Sequence, residues 1–343
     1  MARFGKGKVA FTAVAFATLA LWPLGAGPYG LDLVTKVMIY AVLALSLELL
    51  VGTTGLVCFG QSAFFGIGAY ATVLLSKGGT PPLLVLASGA VLAAAAYALA
   101  VGALSLRTKG VYFIMVTLAF AQMAYSLVHD TPLGGGSDGI YLYRKPSLGT
   151  WIDLERPLTL CFVAFACLLG TFVFLALLLR SNFGRALAGI RINEQRMRAT
   201  GFTTYHYQLA AFILSGAIAG LAGFLFAVKD GFVNPELLSW HLSGGVLIMI
   251  ILGGLGHLRG AMVGAFAFVL LEELFQSEAV FGGFSRHWHL GLGLTIIGSV
   301  VLMPHGLVGL PEQWRERLAG RRLARAVARR RAPSDGTPAE RGE

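Results

Sequence analysis

The chain has 343 residues, of which 56% are hydrophobic and only 13% are charged, and its mean hydropathy is +0.72. Soluble globular domains carry about 25% charged residues, so the composition excludes an ordinary soluble domain. The hydrophobic residues form continuous runs of about 20 residues, the length that a helix needs to cross a bilayer. These runs do not alternate between polar and apolar positions, which excludes a β-barrel. The sequence therefore predicts an all-α, polytopic membrane protein.

About ten apolar runs are candidate membrane helices. The first, at about 9–24, follows three basic residues and is interpreted as a retained span; a cleaved signal peptide is the alternative. The last two before the final run are interrupted by glycines, which is typical of discontinuous or re-entrant helices. Without that pair the count is about eight, so we predict about 8–10 spans with Gly-rich broken or closely packed helices. The remaining runs lie at 31–51, 57–75, 83–106, 111–128, 157–179, 207–228, 243–256, 260–276 and 289–303.

The placement of lysine and arginine predicts the orientation, because cytoplasmic loops carry an excess of both. With the N-terminus inside, most of the 27 basic residues fall in cytoplasmic segments, which predicts that both termini are cytoplasmic. We divide the chain into an N-terminal segment with the first span (1–30), a transmembrane domain (31–311) and a basic tail (312–343). The tail accounts for much of the formal charge of +10. We expect it to be disordered and to touch anionic lipid, not nucleic acid.

Polar residues within the apolar runs are candidates for a translocation path, because a polar group in hydrocarbon needs a partner or a wet cavity. The stretch 52–70 is dense in small residues, and it is either an ordinary helix-packing segment or a pore-lining broken helix. Glu48, just before it, lies either in the path or near the cytoplasmic interface. The run 110–127 contributes a second membrane glutamine. The path candidates are Glu48, Gly60, Gln61, Ser62, Thr117 and Gln122.

Two sets of glycines recur at the spacing that lets helices approach closely in a membrane. The first set is in LSGAIAGLAGFLFA and the second in GGLGHLRGAMVGAF. We expect both sets to be helix-packing faces. Their members are Gly216, Gly220 and Gly223, and Gly256, Gly260 and Gly264.

A polar, arginine-bearing segment, 180–206, interrupts the apolar chain near its middle. Its apolar residues recur at helical spacing and Gly201 offers a helix stop, which predicts one or two short amphipathic helices. A plain connecting loop and a helix lying on lipid headgroups are the alternatives. The sequence has no phosphate-binding loop, no hydrolase or protease motif and no Cys–His metal cluster. Any energy from ATP must therefore come from another protein, and 180–206 is the candidate contact with it.

Successive stretches carry a resemblance to a known family: SLELLVGTTGLVCFGQSAFFGIGAY, GVYFIMVTLAFAQ, GGSDGI, SNFGRALAGIRINEQRMRATGF, LAAFILSGAIAGLAGFLFA and VLIMIILGGLGHLRGAMVGAFAFVLLEEL. In this order they resemble the permease subunits of branched-chain amino-acid ABC importers, and most closely the LivM-like branch of these Liv-type proteins. The resemblance covers about residues 45–276, and the basic tail lies outside it.

The resemblance implies one half of an importer in the bacterial inner membrane, for branched-chain or other small amino acids. Its implied partners are a second permease subunit, two cytoplasmic ABC ATPases that bind ATP and Mg²⁺, and a periplasmic substrate-binding protein. The chain itself is then no enzyme, with no catalytic residue, metal or cofactor. Members of the family also carry urea, short amides and small organic acids. A less favoured alternative is an ion-coupled secondary transporter that uses Glu48 or Glu272.

Within this resemblance, 180–206 corresponds to the coupling helix that docks into a groove of the ATPase. Glu194, Ala199 and Gly201 fall at the family's degenerate E-A-A…G pattern. The family usually has Asn in place of Glu48 and His in place of Gln61, and these departures bear on the substrate more than on the fold. The arginines of 180–206 serve either orientation alone or pairing with the ATPase. The implied coupling residues are Gly184, Arg185, Asn193, Glu194, Arg196, Ala199 and Gly201.

Overall fold

A computed structural model describes residues 27–77, 79, 82–142, 146–148, 152–277, 287–303 and 306–309, together with Phe16, Leu19 and Trp22. Over these residues the chain is mostly helical, which confirms the all-α, polytopic class. The first predicted span, apart from those three side chains, and the whole basic tail lie outside the described residues. The predictions made for them, and the domain boundaries, stay predictions.

Eleven helices account for most of the described residues, and their bounds follow the chain order. They are α1 Pro28–Glu48, α2 Gln61–Ser76, α3 Leu83–Ser105, α4 Val111–Asp130, α5 Pro157–Arg180, α6 Asn182–Ile192, α7 Glu194–Ala199, α8 Thr204–Asp230, α9 Trp240–Gly253, α10 Leu258–Gln276 and α11 Trp288–Leu302. A π-helical turn, Leu49–Thr54, continues α1, and short 3₁₀ turns occupy Pro132–Gly134, Gly136–Asp138 and Pro235–Leu238. Strand β1 (Ile140–Tyr141) pairs antiparallel with β4 (Phe232–Val233), and β2 (Ser147–Leu148) pairs with β3 (Ile152–Asp153).

Six helices in the described part are long and apolar enough to cross a membrane, or seven if α9 and α10 together form one broken span. This is fewer than the predicted number, and one predicted span, the first, lies outside the described residues. Two physical reasons account for the rest of the difference. Helix α2 has 16 residues, fewer than the roughly 20 that a full crossing needs. Helices α9 and α10 are bent by 116° at the glycine-rich turn between them.

Helix α1 is the centre of the bundle. In its most apolar window 89% of the residues are buried, against 22–28% in α3, α4 and α5. The outer helices instead expose large apolar side chains, among them Leu92 (67%), Met123 (62%) and Leu177 (61%). A buried centre with apolar outer faces is the arrangement that a helical bundle in lipid requires, because lipid tails solvate these side chains and water does not.

Helices α3 and α8 pack through small residues on both partners. Ala90, Ala94 and Ala98 recur every four residues along α3, so they share one face, and all three are fully buried. They face Gly216 and Gly220 of α8, where an added Cβ would overlap the methyl groups of Ala98 and Ala94 respectively. The two backbones can approach this closely only because neither glycine carries a side chain.

The other four predicted packing glycines lie in three places. Gly223 of α8 faces the backbone of α2, and Gly260 and Gly264 of α10 face the backbone of α9, each without room for a Cβ. Gly256 is different. It has a φ of 84° and belongs to the turn between α9 and α10, so its need for glycine comes from the backbone conformation.

Contacts sort the connecting segments into two ends of the bundle. At one end the segment 180–206 meets the α3–α4 connection, where Lys109 Nζ lies 2.6 Å from a Glu194 carboxylate oxygen. At the other end Lys229 joins α8 to α1 through Asp32 at 2.8 Å, beside the β1–β4 pair. This grouping places together the segments that the basic-residue bias assigns to one side. Which end faces the cytoplasm stays a prediction.

Candidate functional site

The chain is not helical at residues 55–60, between the second predicted span, 31–51, and the start of α2 in the third, 57–75; we call the segment from α1 through this break to α2 the broken span. The π turn Leu49–Thr54 ends at Gly55, whose φ of 75° stops the helix, and the chain is then non-helical until α2 begins. π-helical turns are rare and occur frequently at functional sites. The break is held by the protein, since the Phe59 N–H donates to Thr117 Oγ1 at 3.3 Å. Irregular backbone at membrane depth is tolerated where protein groups satisfy it in this way.

Gln61, the first residue of α2, ties three central helices together. Its Nε2 donates to Ser46 Oγ of α1 at 2.6 Å and to Ser215 Oγ of α8 at 3.2 Å. The Ser215 hydroxyl in turn donates to the Ser46 carbonyl at 2.7 Å. All three side chains are fully buried. The amide oxygen Oε1 of Gln61 is buried without a hydrogen-bond partner among the described residues, so this cluster keeps one acceptor free.

Ser62 forms a second polar cluster with the start of α9. The Ser62 N–H donates to Ser243 Oγ at 2.9 Å, and the Ser243 hydroxyl donates back to Ser62 Oγ at 2.8 Å. The Ser62 hydroxyl donates to the Leu238 carbonyl at 3.1 Å. Both serines are fully buried. The first turn of α2 is therefore fixed to α1, α8 and α9 through side-chain hydroxyls.

The structure brings four of the six path candidates together at the break. Gly60 is buried against Thr117, whose carbonyl oxygen would lie 3.3 Å from a Cβ on Gly60, and both lie beside the two polar clusters. Glu48 is also buried but lies one helical turn before Gly52, at the end of α1. Gln122 lies on the exposed face of α4. The assignment of these residues to a translocation path stays a prediction.

An open cavity of about 630 Å³ lies at the end of the bundle opposite 180–206. Aromatic side chains, Tyr125 and Phe226 among them, line one part of it, and Asp230, Glu236 and His241 add polar groups. The sequence gives no signal for this cavity, because its walls come from α4, from the end of α8 and from the start of α9. Cavities of this size hold small organic molecules in proteins.

The segment 180–206 contains two short helices, α6 and α7, as its periodicity predicts. Ser181 caps α6 by accepting from the Gly184 N–H at 3.4 Å, and Asn193 caps α7 by accepting from the Arg196 N–H at 2.9 Å. Both are preferred residues at this position. The predicted coupling residue Asn193 is thus the corner between two helices.

The end of α7 is a Schellman motif around Gly201. Gly201 has a φ of 88°, the Phe202 N–H donates to the Met197 carbonyl at 3.1 Å, and the Gly201 N–H donates to the Arg198 carbonyl at 3.0 Å. This is the pattern that glycine permits after a helix C-terminus. Gly201 therefore redirects the chain into α8.

One face of the segment is turned toward the rest of the chain. Leu187 and Ile190 are buried, and Gly184 lies so close to the end of α5 that an added Cβ would be 2.5 Å from Leu179 Cα. The predicted coupling residue Gly184 thus permits a close helix corner.

Glu194 also faces its own chain. Its carboxylate forms ion pairs with Lys109 and Arg198 and accepts from the Thr204 hydroxyl at 3.2 Å. Partial burial raises the pKa of this carboxyl, but the hydrogen bond and charge of Lys109 and the charge of Arg198 outweigh it, so the pKa lies below its ordinary value. The ionised carboxylate fastens α7 to the α3–α4 connection and to α8.

The opposite face of the segment is open. Arg185, Arg196 and Ala199 are exposed, and among them Ile192 is 86% exposed. This face is therefore accessible to a partner protein. Among the described residues no group of three His, Cys, Asp or Glu side chains is placed to hold a metal ion.

Comparison with known proteins decides the family. The family model described as "Branched-chain amino acid transport system / permease component" matches residues 29–299. The chain belongs to this family. It is 31% identical over 319 residues to the "High-affinity branched-chain amino acid transport system permease protein LivM" of Escherichia coli K12. The aligned region covers 86% of this chain and 74% of that protein.

Two further relatives of this permease family agree. LivM of Salmonella typhimurium LT2 is 32% identical over 313 residues, 84% of this chain and 72% of the relative. The "Probable branched-chain amino acid transport permease protein LivH" of Methanocaldococcus jannaschii is 28% identical over 290 residues, 78% of this chain and 88% of the relative. No solved structure matches the chain significantly. The resemblance stated from the sequence motifs is confirmed, and the chain is a multi-pass membrane protein of a transport permease family.

Sequence reasoning missed several partners of the predicted permease residues. Ser46, Ser215 and Ser243 hold Gln61 and Ser62, yet Ser215 is 154 residues from Gln61 in the chain. Lys109 lies in a short loop and pairs with Glu194 only in the fold. Serines on the buried faces of apolar helices were the available signal, but they do not reveal which helices meet.

Proposed function

We propose that this chain is the permease subunit of an ATP-binding-cassette importer in the bacterial inner membrane, moving branched-chain or other small amino acids. It works with a second permease subunit and two cytoplasmic ABC ATPases, and a periplasmic substrate-binding protein delivers the substrate. ATP and Mg²⁺ are bound by the ATPases, and this chain holds no cofactor. The family membership and the names of the relatives support the amino-acid substrate.

The observation that carries the proposal is the two-sided construction of 180–206. Its inner face is fixed to the bundle by Glu194 and by Leu187, so a force on the segment reaches the membrane helices. Its outer face presents Ile192 between arginines. A rigid, amphipathic segment with an apolar anchor is what docking into a groove of a motor protein requires.

The cavity at the opposite end is a candidate entrance for the substrate. Its aromatic and polar walls, with Asp230, Glu236 and His241, suit a small zwitterionic molecule that arrives from a binding protein. The two polar clusters at the start of α2 then lie between this cavity and the coupling segment along the bundle. The order cavity, polar break and coupling segment is that expected of an importer half.

The ion-coupled alternative receives less support from the carboxylates that it would use. Glu272 lies at the outer end of α10 with Lys36 at 3.9 Å and is partly exposed. Glu48 is enclosed near Gly256 and the coupling segment. Gradient-driven uptake by vesicles that contain this chain alone would establish the alternative instead.

The docking surface is tested by changing Ile192. Ile192→Asp is expected to weaken retention of the ATPase subunits on the purified permease pair by about tenfold or more, because loss of an interface hot spot costs about 2 kcal/mol. Ile192→Val keeps the apolar contact and serves as the matched control. Since Ile192 is exposed, the variant should insert and fold normally, measured by thermal unfolding in detergent. Equal ATPase retention by Ile192→Asp and wild type would contradict the docking assignment.

A further inference from the structure

Arg191, in the last turn of α6, is an exposed residue whose guanidinium reaches the π turn at the end of α1. Its Nη1 donates to the carbonyl of Gly52 in the π turn. A Cβ atom added to Gly55, the residue that ends the π turn, would lie 3.3 Å from the Cγ of Arg191. A Cβ atom added to Gly256, in the turn between α9 and α10, would lie 3.8 Å from the Nη1 of Arg191. One arginine of the coupling helix thus contacts the π turn and lies close to the turn between α9 and α10.

Glu48 lies in the same junction, directly beneath the π turn. Its side chain is 1% exposed, and it fills the space that a side chain on Gly52 would occupy. Its carboxylate faces the backbone N–H groups of Gly256 and His257 and the guanidinium of Arg191. None of these groups reaches good hydrogen-bond geometry with either oxygen, so both carboxylate oxygens lack a formal partner among the described residues. The charge of Arg191 acts on this carboxyl group without a direct ion pair between them, and a nearby positive charge favours the ionised form of a buried carboxyl group.

We propose that Arg191 and Glu48 form a joint that transmits movement of the coupling segment to the broken span and to the α9–α10 turn. The inference rests on the proposed function, since only an ATPase-driven permease needs such transmission. Arg191 is a positioning residue in this scheme. Its guanidinium, with several donors in a fixed plane, can hold the Gly52 carbonyl and face Glu48 at the same time, which the point charge of lysine does less well.

The segments that meet at this joint are those with the most adaptable backbone. Gly55, Gly254 and Gly256 have φ values of 75°, 112° and 84°, and hinges absorb movement at a few such positions. The π turn leads through the break at 55–60 to Gln61 and its serine partners. A shift of α6 therefore reaches the central polar cluster through one hydrogen bond and one short stretch of backbone.

The joint gives a role to a buried acidic side chain, Glu48, and to an arginine of the coupling segment that reaches the helix end beside it. A neutral side chain at position 48 would not require a facing cation. The two residues are therefore expected to depend on each other in this chain.

The test uses the complete importer in proteoliposomes, with both permeases, both ATPases and the binding protein. Uptake of radiolabelled leucine and ATP hydrolysis are measured in the same samples, and their ratio gives the ATP used per substrate molecule. Arg191→Met and Glu48→Gln are each expected to raise this ratio at least about fivefold, the lower range of typical coupling energies. The double variant should be less impaired than Arg191→Met alone, because it leaves no uncompensated buried carboxylate. Arg107→Met, an exposed arginine at the same end of the bundle, is the control and should keep the wild-type ratio.

The outcomes separate the joint from the proposed function. A wild-type importer without ATP-driven uptake would contradict the proposed function, and the joint with it. Wild-type uptake with an unchanged ratio in both single variants, or strictly additive losses in the double variant, would contradict the joint alone. If the Arg191→Met importer fails to assemble, Arg191→Lys is used to test the joint. This variant keeps the charge, so it should assemble and still use more ATP per leucine than the wild type. A wild-type ratio of ATP to leucine in Arg191→Lys would overturn the role given to the guanidinium.

Discussion

The close contact between α3 and α8 gives a stability prediction with an internal control. Gly220→Ala places a methyl group where it would overlap the methyl of Ala94 and lie 2.9 Å from the Ala90 carbonyl oxygen. Neither neighbour can swing away, because one is a Cβ and the other a backbone atom. The helices must separate, or the backbone must distort.

Gly170→Ala is the matched control. Gly170 lies in the interior of α5 on its exposed face, with no atom within 4 Å of an added Cβ. Both substitutions gain about 1 kcal/mol of helix propensity, so this gain cancels when the two variants are compared. What remains is overpacking, which costs about 1–3 kcal/mol in a well-packed interface. Gly220→Ala is therefore expected to be less stable than Gly170→Ala by about 1–3 kcal/mol.

The assay is reversible unfolding in mixed micelles with increasing SDS mole fraction, followed by circular dichroism. The free energy of unfolding of Gly170→Ala should equal or exceed that of the wild type. The free energy of unfolding of Gly220→Ala should lie below that of Gly170→Ala. A difference between the two variants of less than about 0.5 kcal/mol, the limit of additivity for distant sites, would show that α3 and α8 are not in backbone contact at this position.

Two further predictions concern polar groups. Gln61→Met loses two membrane hydrogen bonds of about 0.6 kcal/mol each but also removes an unpartnered buried oxygen that costs about 1–3 kcal/mol. The free energy of unfolding should therefore stay nearly unchanged or rise, by up to about 2 kcal/mol. A large loss of uptake at unchanged stability would then assign Gln61 to transport, whereas a stability loss above about 3 kcal/mol would show that the cluster is structural. Glu194→Gln should raise amide hydrogen exchange in residues 194–204 up to about fivefold, since exposed ion pairs contribute about 0.2–1 kcal/mol. Folding lowers the pKa of Glu194, so the ion pairs contribute fully to stability above the ordinary pKa of 4.5, and their contribution is lost as the pH falls through the lowered pKa. If the wild type shows the same hydrogen exchange at pH 7 and at pH 3, after correction for intrinsic rates, the pairing is contradicted.

Uninterrupted apolar runs were sufficient to predict several helices closely. The run 83–106 became Leu83–Ser105, and the run 111–128 became Val111–Asp130. In both cases the helix interior lacks helix-breaking residues and loop residues such as Arg107 and Gly110 mark the ends. Hydrophobicity and length decide such segments because a spanning helix satisfies its own backbone.

Glycine-rich runs were harder to predict, because glycine serves both close packing and backbone turns. The run 57–75 was expected to be one span, but residues 57–60 are not helical and α2 begins only at Gln61. Similarly, Gly256 fits a packing pattern by spacing, yet its positive φ makes it part of a turn. Spacing alone does not distinguish these two uses.

The candidate site depends on contacts between distant segments, and the sequence does not determine them. The motif resemblance identified 180–206 as the coupling segment, and its exposed Ile192 and arginines fit that role. It did not indicate that Arg191 points inward to Gly52, or that Lys109 fastens Glu194. Such pairings are fixed by how the helices pack, which is a property of the whole bundle.

The central claim is that separate ATPases drive transport through this chain. The most direct measurement is leucine uptake into proteoliposomes that contain both permeases and an excess of the binding protein, with and without the two ATPase subunits. We predict uptake that requires ATP and the two ATPase subunits and that is unaffected when the ion gradients are collapsed. Uptake that persists without the ATPases and disappears with the ion gradient would contradict it.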